Sequence, residues 1–169
     1  MNNALKIKVC GMRDAENIRS VESLGIDLMG FIFWPRSSRY VNERPAYLPT
    51  KCKRVGVFVD EERERVVQTA GDYALDVIQL HGHETPDYCA RLRQGWEGAS
   101  PTTCKTTCPA LIKAFNIATA DDLAKTIPYA GLVDCFLFDT KGKSVGGNGE
   151  KFDWNRRSEE RRVGKECRS

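Results

Sequence analysis

Two residues able to move protons stand at the ends of short apolar runs. Cys10 follows Leu5–Val9, and Asp139 follows Cys135–Phe138. A thiol acts as a base only when its thiolate is favoured, for example by a nearby cation such as Lys8. An aspartate keeps its proton at neutral pH only when burial or a neighbouring anion raises its pKa. Taken alone, a cysteine at a strand end is more often a small buried apolar side chain, so both interpretations stay open here.

Further polar or glycine-rich stretches follow other apolar runs. If the runs are parallel neighbouring strands, all these stretches meet at one rim of the sheet, where α/β proteins place their chemistry. The stretches are Cys10–Gly11, Arg36–Tyr40, Gln79–Gly82, Phe138–Lys141 and Gly146–Gly149, the last followed by Phe152–Trp154.

The elements that must position these residues are predicted by six apolar runs. The runs are nearly continuous rather than alternating, which indicates strands buried on both faces, as in a parallel sheet. They are Leu5–Val9, Leu28–Phe33, Arg54–Val59, Leu75–Leu80, Leu111–Phe115 and Cys135–Phe138.

Helix signals separate most of the runs. We expect helices capped by Asp14, by Asp60 and by Thr85 before Pro86, and a capping box from Thr119 to Asp122. The segment 42–48 contains a proline and allows only a turn or two of helix. Alternating strands and helices predict a parallel sheet with right-handed crossovers, either open and doubly wound or closed as a (β/α)8 barrel. A Rossmann glycine fingerprint is missing after the first run.

Six strings in order and register resemble phosphoribosylanthranilate isomerase of tryptophan biosynthesis. They are KVCGMRD, GFIFWPRSSRY, RVGVFV, VIQLHGHE, FLFDTK and GGNGEKFDW, and the likeness runs from about residue 6 to residue 155. The resemblance implies a (β/α)8 TIM barrel of which this chain carries about six βα units. It also implies an Amadori rearrangement of N-(5-phosphoribosyl)anthranilate to 1-(o-carboxyphenylamino)-1-deoxyribulose 5-phosphate, without metal or organic cofactor.

The resemblance also implies roles for individual residues. Cys10 is then the general base, Asp139 the general acid and Arg39 the contact for the anthranilate carboxylate. His81 is either a substrate-binding residue or a structural one that donates to backbone. Three glycines are expected to form a substrate-binding loop that closes over the ligand: Gly146, Gly147 and Gly149.

The chain departs from the family near its end. We expect residues 1–156 to form a partial barrel, and residues 157–169 to be a disordered or artefactual tail, since that tail resembles a translated sequencing adapter. Strands seven and eight, whose loops hold phosphate in such barrels, are not recognisable. The competing predictions are therefore an inactive fragment that self-associates through exposed sheet edges, or another phosphate-binding barrel such as indole-glycerol-phosphate synthase.

Composition narrows the partners. The net charge is +3, of which the tail supplies a surplus of two, so there is no basic face that predicts nucleic-acid binding. No apolar run is long enough to predict a membrane span.

Seven cysteines without a signal-peptide pattern favour reduced thiols in the cytoplasm. Cys104 and Cys108 are spaced C-x3-C, but no second Cys/His pair lies near them, so we predict no metal site. The expected partner is a small phosphorylated substrate.

Overall fold

A parallel sheet of six strands forms the centre of the molecule, in a computed structural model that describes residues 5–97 and 108–140. The strand order follows the chain, β1 to β6, and each neighbouring pair is parallel. The strands are β1 Lys8–Cys10, β2 Leu28–Ile32, β3 Lys53–Phe58, β4 Val77–Leu80, β5 Ala110–Ile117 and β6 Cys135–Thr140. All six predicted strands are confirmed, with shifted ends. The order without crossings is that of an incomplete (β/α)8 barrel rather than of a doubly wound sheet.

Helices lie between most of the strands. They are α1 Ala15–Glu22, α2 Arg63–Tyr73, α3 Pro86–Glu97 and a 3₁₀ helix, Ala120–Tyr129. The caps at Asp14 and Thr85 are confirmed, because their side-chain oxygens accept from the amides of Asn17 (2.8 Å) and Tyr88 (3.2 Å). At the 3₁₀ helix, the Asp122 carboxylate accepts from the Thr119 amide at 3.0 Å, as a capping box requires.

The predicted cap at Asp60 is wrong. Helix α2 begins at Arg63, with Glu62 as its N-cap. Asp60 instead has a left-handed backbone (φ 50°), a conformation that aspartate tolerates better than most residues. Its carboxylate accepts hydrogen bonds from the backbone and ring of His83. The side chain therefore joins the ends of β3 and β4 rather than starting a helix.

The crossover from β2 to β3, residues 33–52, contains hydrogen-bonded turns but no helix. The buried carboxylate of Glu22, at the end of α1, holds this crossover by accepting from the Tyr47 hydroxyl (2.6 Å) and from the amides of Thr50 (2.5 Å) and Lys51 (2.6 Å). The guanidinium of Arg19 covers the Tyr47 ring at 4.5 Å. These contacts give backbone amides of the irregular crossover the hydrogen bonds that a helix would form within itself.

The two faces of the sheet have different roles. In β2, Met29 and Phe31 are fully buried and pack with Ile18 of α1 in the main hydrophobic cluster. Gly30 and Ile32 alternate with them and therefore point to the other face. That other face is the concave side of the curved sheet, and Ile32 lines a pocket there.

Strands β1 and β6 are the sheet edges within the part of the chain that the structure describes, since each pairs with one neighbour only. Among the same residues, no helix has the length and apolar character needed to cross a membrane.

Candidate active site

A pocket of about 350 Å³ opens at the carboxyl ends of the strands. Its size lies within the usual range for small-molecule sites. Strands β1, β2, β3, β4 and β6, with the segments that follow them, contribute its wall. The lining residues are Lys8, Cys10, Ile32, Trp34, Ser37, Arg39, Val57, Val59, Gln79, His81, Leu137, Phe138 and Asp139.

Cys10 is the last residue of β1 and lies in register with Gly30 of β2. A Cβ atom built on Gly30 would stand 2.6 Å from the Cys10 sulfur, much closer than any real contact. The thiol therefore occupies the space that a side chain at position 30 would need. Sequence reasoning overlooked Gly30, although a glycine inside a strand is a known signal of close approach.

Lys8 lies on the same face of β1 as Cys10, because side chains alternate along a strand. Its ammonium donates to the Gln79 side-chain oxygen on β4. Burial lowers the pKa of Lys8, while the charge of the Cys10 thiolate and a hydrogen bond to it act in the opposite direction. A cation beside the thiol is thus present, as the sequence predicted.

His81 and Asp139 come together from β4 and β6. The ring nitrogen Nε2 of His81 lies 3.6 Å from Oδ2 of Asp139, and Nδ1 lies 3.1 Å from the Gln79 amide nitrogen. Both side chains are largely shielded, with 12% of His81 and 25% of Asp139 exposed. Burial lowers the pKa of His81, and the cations Lys113 and Lys8 also lower it. The carboxylates of Asp139 and Glu84 have the opposite effect and raise it. The imidazole is therefore neutral at pH 7.

Arg39 reaches the pocket from the turn after β2. Its Nη1 donates to the backbone carbonyl of Cys10 at 2.9 Å. The guanidinium and its stem pack against Gly11, where a Cβ would stand 2.6 Å from Cδ of Arg39. Gly11 also has a left-handed backbone (φ 90°), so both its conformation and its lack of a side chain are required here.

A buried ion pair supports the wall beneath His81. Lys113 of β5 lies 3.1 Å from the Glu84 carboxylate, with side chains 3% and 1% exposed. Lys113 also donates to the carbonyls of Gly82 (2.8 Å) and Ala114 (3.0 Å). Glu84 accepts from the amides of Gly82 and Asp60. The pair is therefore fully hydrogen-bonded and joins the middle of β5 to the segments that follow β3 and β4.

The structure brings four of the predicted site residues to one pocket: Cys10, Arg39, His81 and Asp139. The predicted loop residues Gly146, Gly147 and Gly149 lie outside the described residues. Trp34 and Gln79 also line the pocket but were not singled out from the sequence, although Trp34 stands in a string that resembles the family and Gln79 begins the stretch Gln79–Gly82. Chemically, the pocket offers a thiol beside a cation, a carboxyl group beside a neutral imidazole, and an arginine at the rim.

Comparison with known proteins identifies the family. The sequence model described as N-(5'-phosphoribosyl)anthranilate (PRA) isomerase matches residues 7–166. The chain belongs to the phosphoribosylanthranilate isomerase family. The family model extends past residue 155, where the recognisable strings end, into the segment predicted to be a tail.

Relatives and solved structures of the family agree with this. The N-(5'-phosphoribosyl)anthranilate isomerase of Phocaeicola vulgatus is 48% identical over 149 residues, covering 88% of this chain and 67% of the relative. The enzyme of Parabacteroides distasonis is 44% identical, with 88% and 65% covered. The crystal structure of the Thermotoga maritima enzyme superposes with a TM-score of 0.71 at 30% identity, covering 89% and 69%. The chain thus spans about two thirds of the length of these phosphoribosylanthranilate isomerases.

Proposed function

We propose that this chain carries the acid–base groups of a phosphoribosylanthranilate isomerase site. The observation that supports this most is the meeting of Cys10 and Asp139 in one pocket from the two edge strands of the sheet. The reaction is an isomerisation, so protons are moved and no atom is lost.

Asp139 is the proposed general acid. It donates a proton to the ring oxygen of the ribose, the bond from that oxygen to C1′ breaks, and the nitrogen lone pair completes the imine. Cys10, as thiolate, then removes the proton from C2′, which gives an enolamine. A proton added at C1′ and the proton lost from the C2′ hydroxyl then convert the enolamine to the aminoketose, so that Asp139 and Cys10 return to their starting forms. Lys8, on the same face of β1, supplies a cation that interacts with the sulfur of Cys10.

Arg39 is the proposed contact for the aromatic carboxylate, because a guanidinium fork matches a carboxylate with two parallel hydrogen bonds. Trp34 and Ser37 line the same pocket as Arg39, and so do the aliphatic side chains of Ile32 and Val57. An aromatic acid suits this mixture of cation, ring and aliphatic side chains. A related phosphoribosylanthranilate isomerase was crystallised with reduced 1-(o-carboxyphenylamino)-1-deoxyribulose 5-phosphate, a compound that carries such a carboxylate.

Among the described residues, which end in β6, no contact for the phosphate of the substrate is proposed, because barrels of this class hold phosphate with loops after later strands. The setting is proposed to be cytoplasmic, in keeping with the thiols of Cys10, Cys52 and Cys89, none of which forms a disulfide.

Turnover of phosphoribosylanthranilate by the 169-residue chain, followed by chromatography, tests the assignment. Cys10→Ser and Asp139→Asn should each lower the rate by about 100-fold or more, since each removes a proton-transfer group. Cys52→Ser is the matched control: Cys52 is a half-buried thiol that does not line the pocket, so its loss should leave the rate unchanged. Equal rates in all four proteins would contradict the proposed roles.

Binding gives a second readout that does not need turnover. Calorimetry with the reduced product analogue should detect an affinity that falls about tenfold or more in Arg39→Lys, because a lysine cannot form the bidentate contact. An affinity independent of residue 39 would refute the proposed anchor.

A second candidate is an assembly-forming chain without catalysis. The observation that favours it is that β1 and β6 each pair with one neighbouring strand only within residues 5–97 and 108–140, and an exposed sheet edge can pair with another strand. Size-exclusion chromatography over a range of concentrations separates the two: concentration-dependent assembly together with absent turnover supports this candidate, and an active monomer excludes it.

A further inference from the structure

The side chain of Gln79 contacts two titratable residues of the pocket, Lys8 and His81. Its oxygen accepts from the Lys8 ammonium, and its nitrogen lies 3.1 Å from Nδ1 of His81. The direction of the amide is fixed by chemistry, because an ammonium can only donate. Oxygen must face Lys8, so the NH₂ group must face His81.

The orientation of this amide decides where the proton of His81 resides. A neutral imidazole has one protonated and one bare nitrogen. Since Gln79 donates to Nδ1, Nδ1 is bare and the proton is on Nε2. Nε2 is buried, has no hydrogen-bond partner among the residues described, and faces Oδ2 of Asp139 at 3.6 Å.

We propose that Gln79 is a positioning residue that holds His81 as the neutral tautomer protonated on Nε2, with this N–H directed at Asp139. The inference rests on the proposed function for its consequence, since Asp139 is there the general acid.

The consequence concerns the carboxylate that Asp139 becomes after it gives up its proton. An N–H directed at this oxygen stabilises the new anion, and the 3.6 Å gap can shorten as the charge develops. The other tautomer would present a lone pair and repel it. A cationic imidazole would favour the carboxylate before reaction, so that Asp139 would hold no proton to donate. The ring is neutral because burial lowers the pKa of His81. The positive charges of Lys113 and Lys8 lower it as well, while Asp139 and Glu84 raise it.

Nitrogen NMR of the whole chain labelled with ¹⁵N-histidine tests the tautomer directly. The sequence has two histidines, His81 and His83, so the spectrum is simple and His83→Asn assigns it. His83 is the control ring, with its side chain 94% exposed. We expect one protonated nitrogen, Nε2, and one bare nitrogen, Nδ1, for His81 at pH 7. A proton on Nδ1, or a doubly protonated ring, would overturn the inference.

Gln79→Glu is the decisive variant. Its carboxylate accepts from both Lys8 and His81, so the proton of the ring should move to Nδ1 or the ring should become cationic. Gln79→Met removes the donor while keeping the length of the side chain and should give a mixture of tautomers. A His81 spectrum unchanged in both would show that Gln79 does not set the tautomer.

The two proposals fail separately. The ring spectrum does not depend on turnover, so a wrong tautomer in an active chain refutes only the role of Gln79. The expected tautomer in a chain whose turnover ignores Cys10 and Asp139 refutes only the proposed function. If Gln79→Glu does not fold, the spectrum of the wild-type chain still decides the tautomer.

Discussion

The sulfur of Cys10 lies against the bare α-carbon of Gly30, on the neighbouring strand and in register with it. The two residues are twenty positions apart, yet the place of the thiol depends on the missing side chain of the glycine. A larger residue at position 30 must displace either the sulfur or the strand.

Gly30→Ala is expected to destabilise the chain and to move the thiol. The added methyl group would stand 2.6 Å from the sulfur, and overpacking of this kind costs about 1–3 kcal/mol. Urea unfolding gives the change in the free energy of unfolding, and turnover should fall together with it. Gly95→Ala is the matched control, because Gly95 lies in α3 and a Cβ there meets nothing within 4 Å. That control should be neutral or stabilising; equal destabilisation by both changes would contradict the steric explanation.

Lys113→Met is expected to cost about 3–5 kcal/mol of unfolding free energy, because it leaves the buried Glu84 carboxylate without its cation. The double change Lys113→Met with Glu84→Gln should recover part of this loss, since it also removes the buried charge. Both are measured by urea unfolding.

Arg91→Met provides the control for an exposed pair. Arg91 and Asp87 lie 2.9 Å apart on α3 with side chains 59% and 68% exposed. Exposed pairs contribute about 0–1 kcal/mol. If Lys113→Met costs no more than Arg91→Met, the buried pair does not hold the strand ends together.

Stability should fall as the pH falls below the ordinary pKa of histidine, 6.5. Burial, followed by the positive charges of Lys113 and Lys8, lowers the pKa of His81 in the folded chain, while Asp139 and Glu84 raise it. The unfolded chain therefore binds a proton first, and the folded state loses stability between pH 6.5 and the lower folded pKa. Above pH 6.5 this contribution is fully present.

Urea unfolding between about pH 5 and 7 measures this slope. The range lies above the ordinary pKa values of Glu22 (4.5) and Asp60 (3.8), whose folded pKa values are lower still. His81→Gln should flatten the slope, and His83→Gln should leave it nearly as steep. A slope that persists in His81→Gln would assign it to another group.

The parts of the fold that the sequence predicted are those set by local chemistry. The caps at Asp14 and Thr85 follow from a side-chain oxygen next to free amides, and the six strands follow from continuous apolar runs. The predicted helix cap at Asp60 was wrong because the Asp60 carboxylate binds His83, which follows the next strand. This contact outweighs the local tendency of aspartate to cap a helix. The irregular crossover after β2 depends on Glu22, which is distant in sequence and binds it at several points.

The site residues also divide into those that one stretch of sequence predicts and those that depend on distant partners. Cys10 and Asp139 were predicted to meet at one rim from their positions at strand ends, and their proposed roles came from the family resemblance. Gly30 and Gln79 were overlooked because their importance lies in pairs that only the register of the sheet creates: glycine with thiol across β1 and β2, and amide with ammonium across β1 and β4. Such pairs cannot be read from one stretch of sequence.

The hydrogen bond from Arg39 to the backbone carbonyl of Cys10 fixes the position of the guanidinium relative to the residue that carries the thiol. One N–H of the guanidinium is tied to the residue that carries the thiol, while its other N–H groups stay available to a ligand. The proposed contact of Arg39 with a carboxylate and the position of the Cys10 sulfur are thus coupled at the carboxyl ends of β1 and β2, and they shift together if the loop after β2 shifts. A compound with its carboxylate moved around the ring would be gripped equally well yet present the wrong carbon to the sulfur. Selection among isomeric acids would then appear in the rate of reaction more than in the strength of binding.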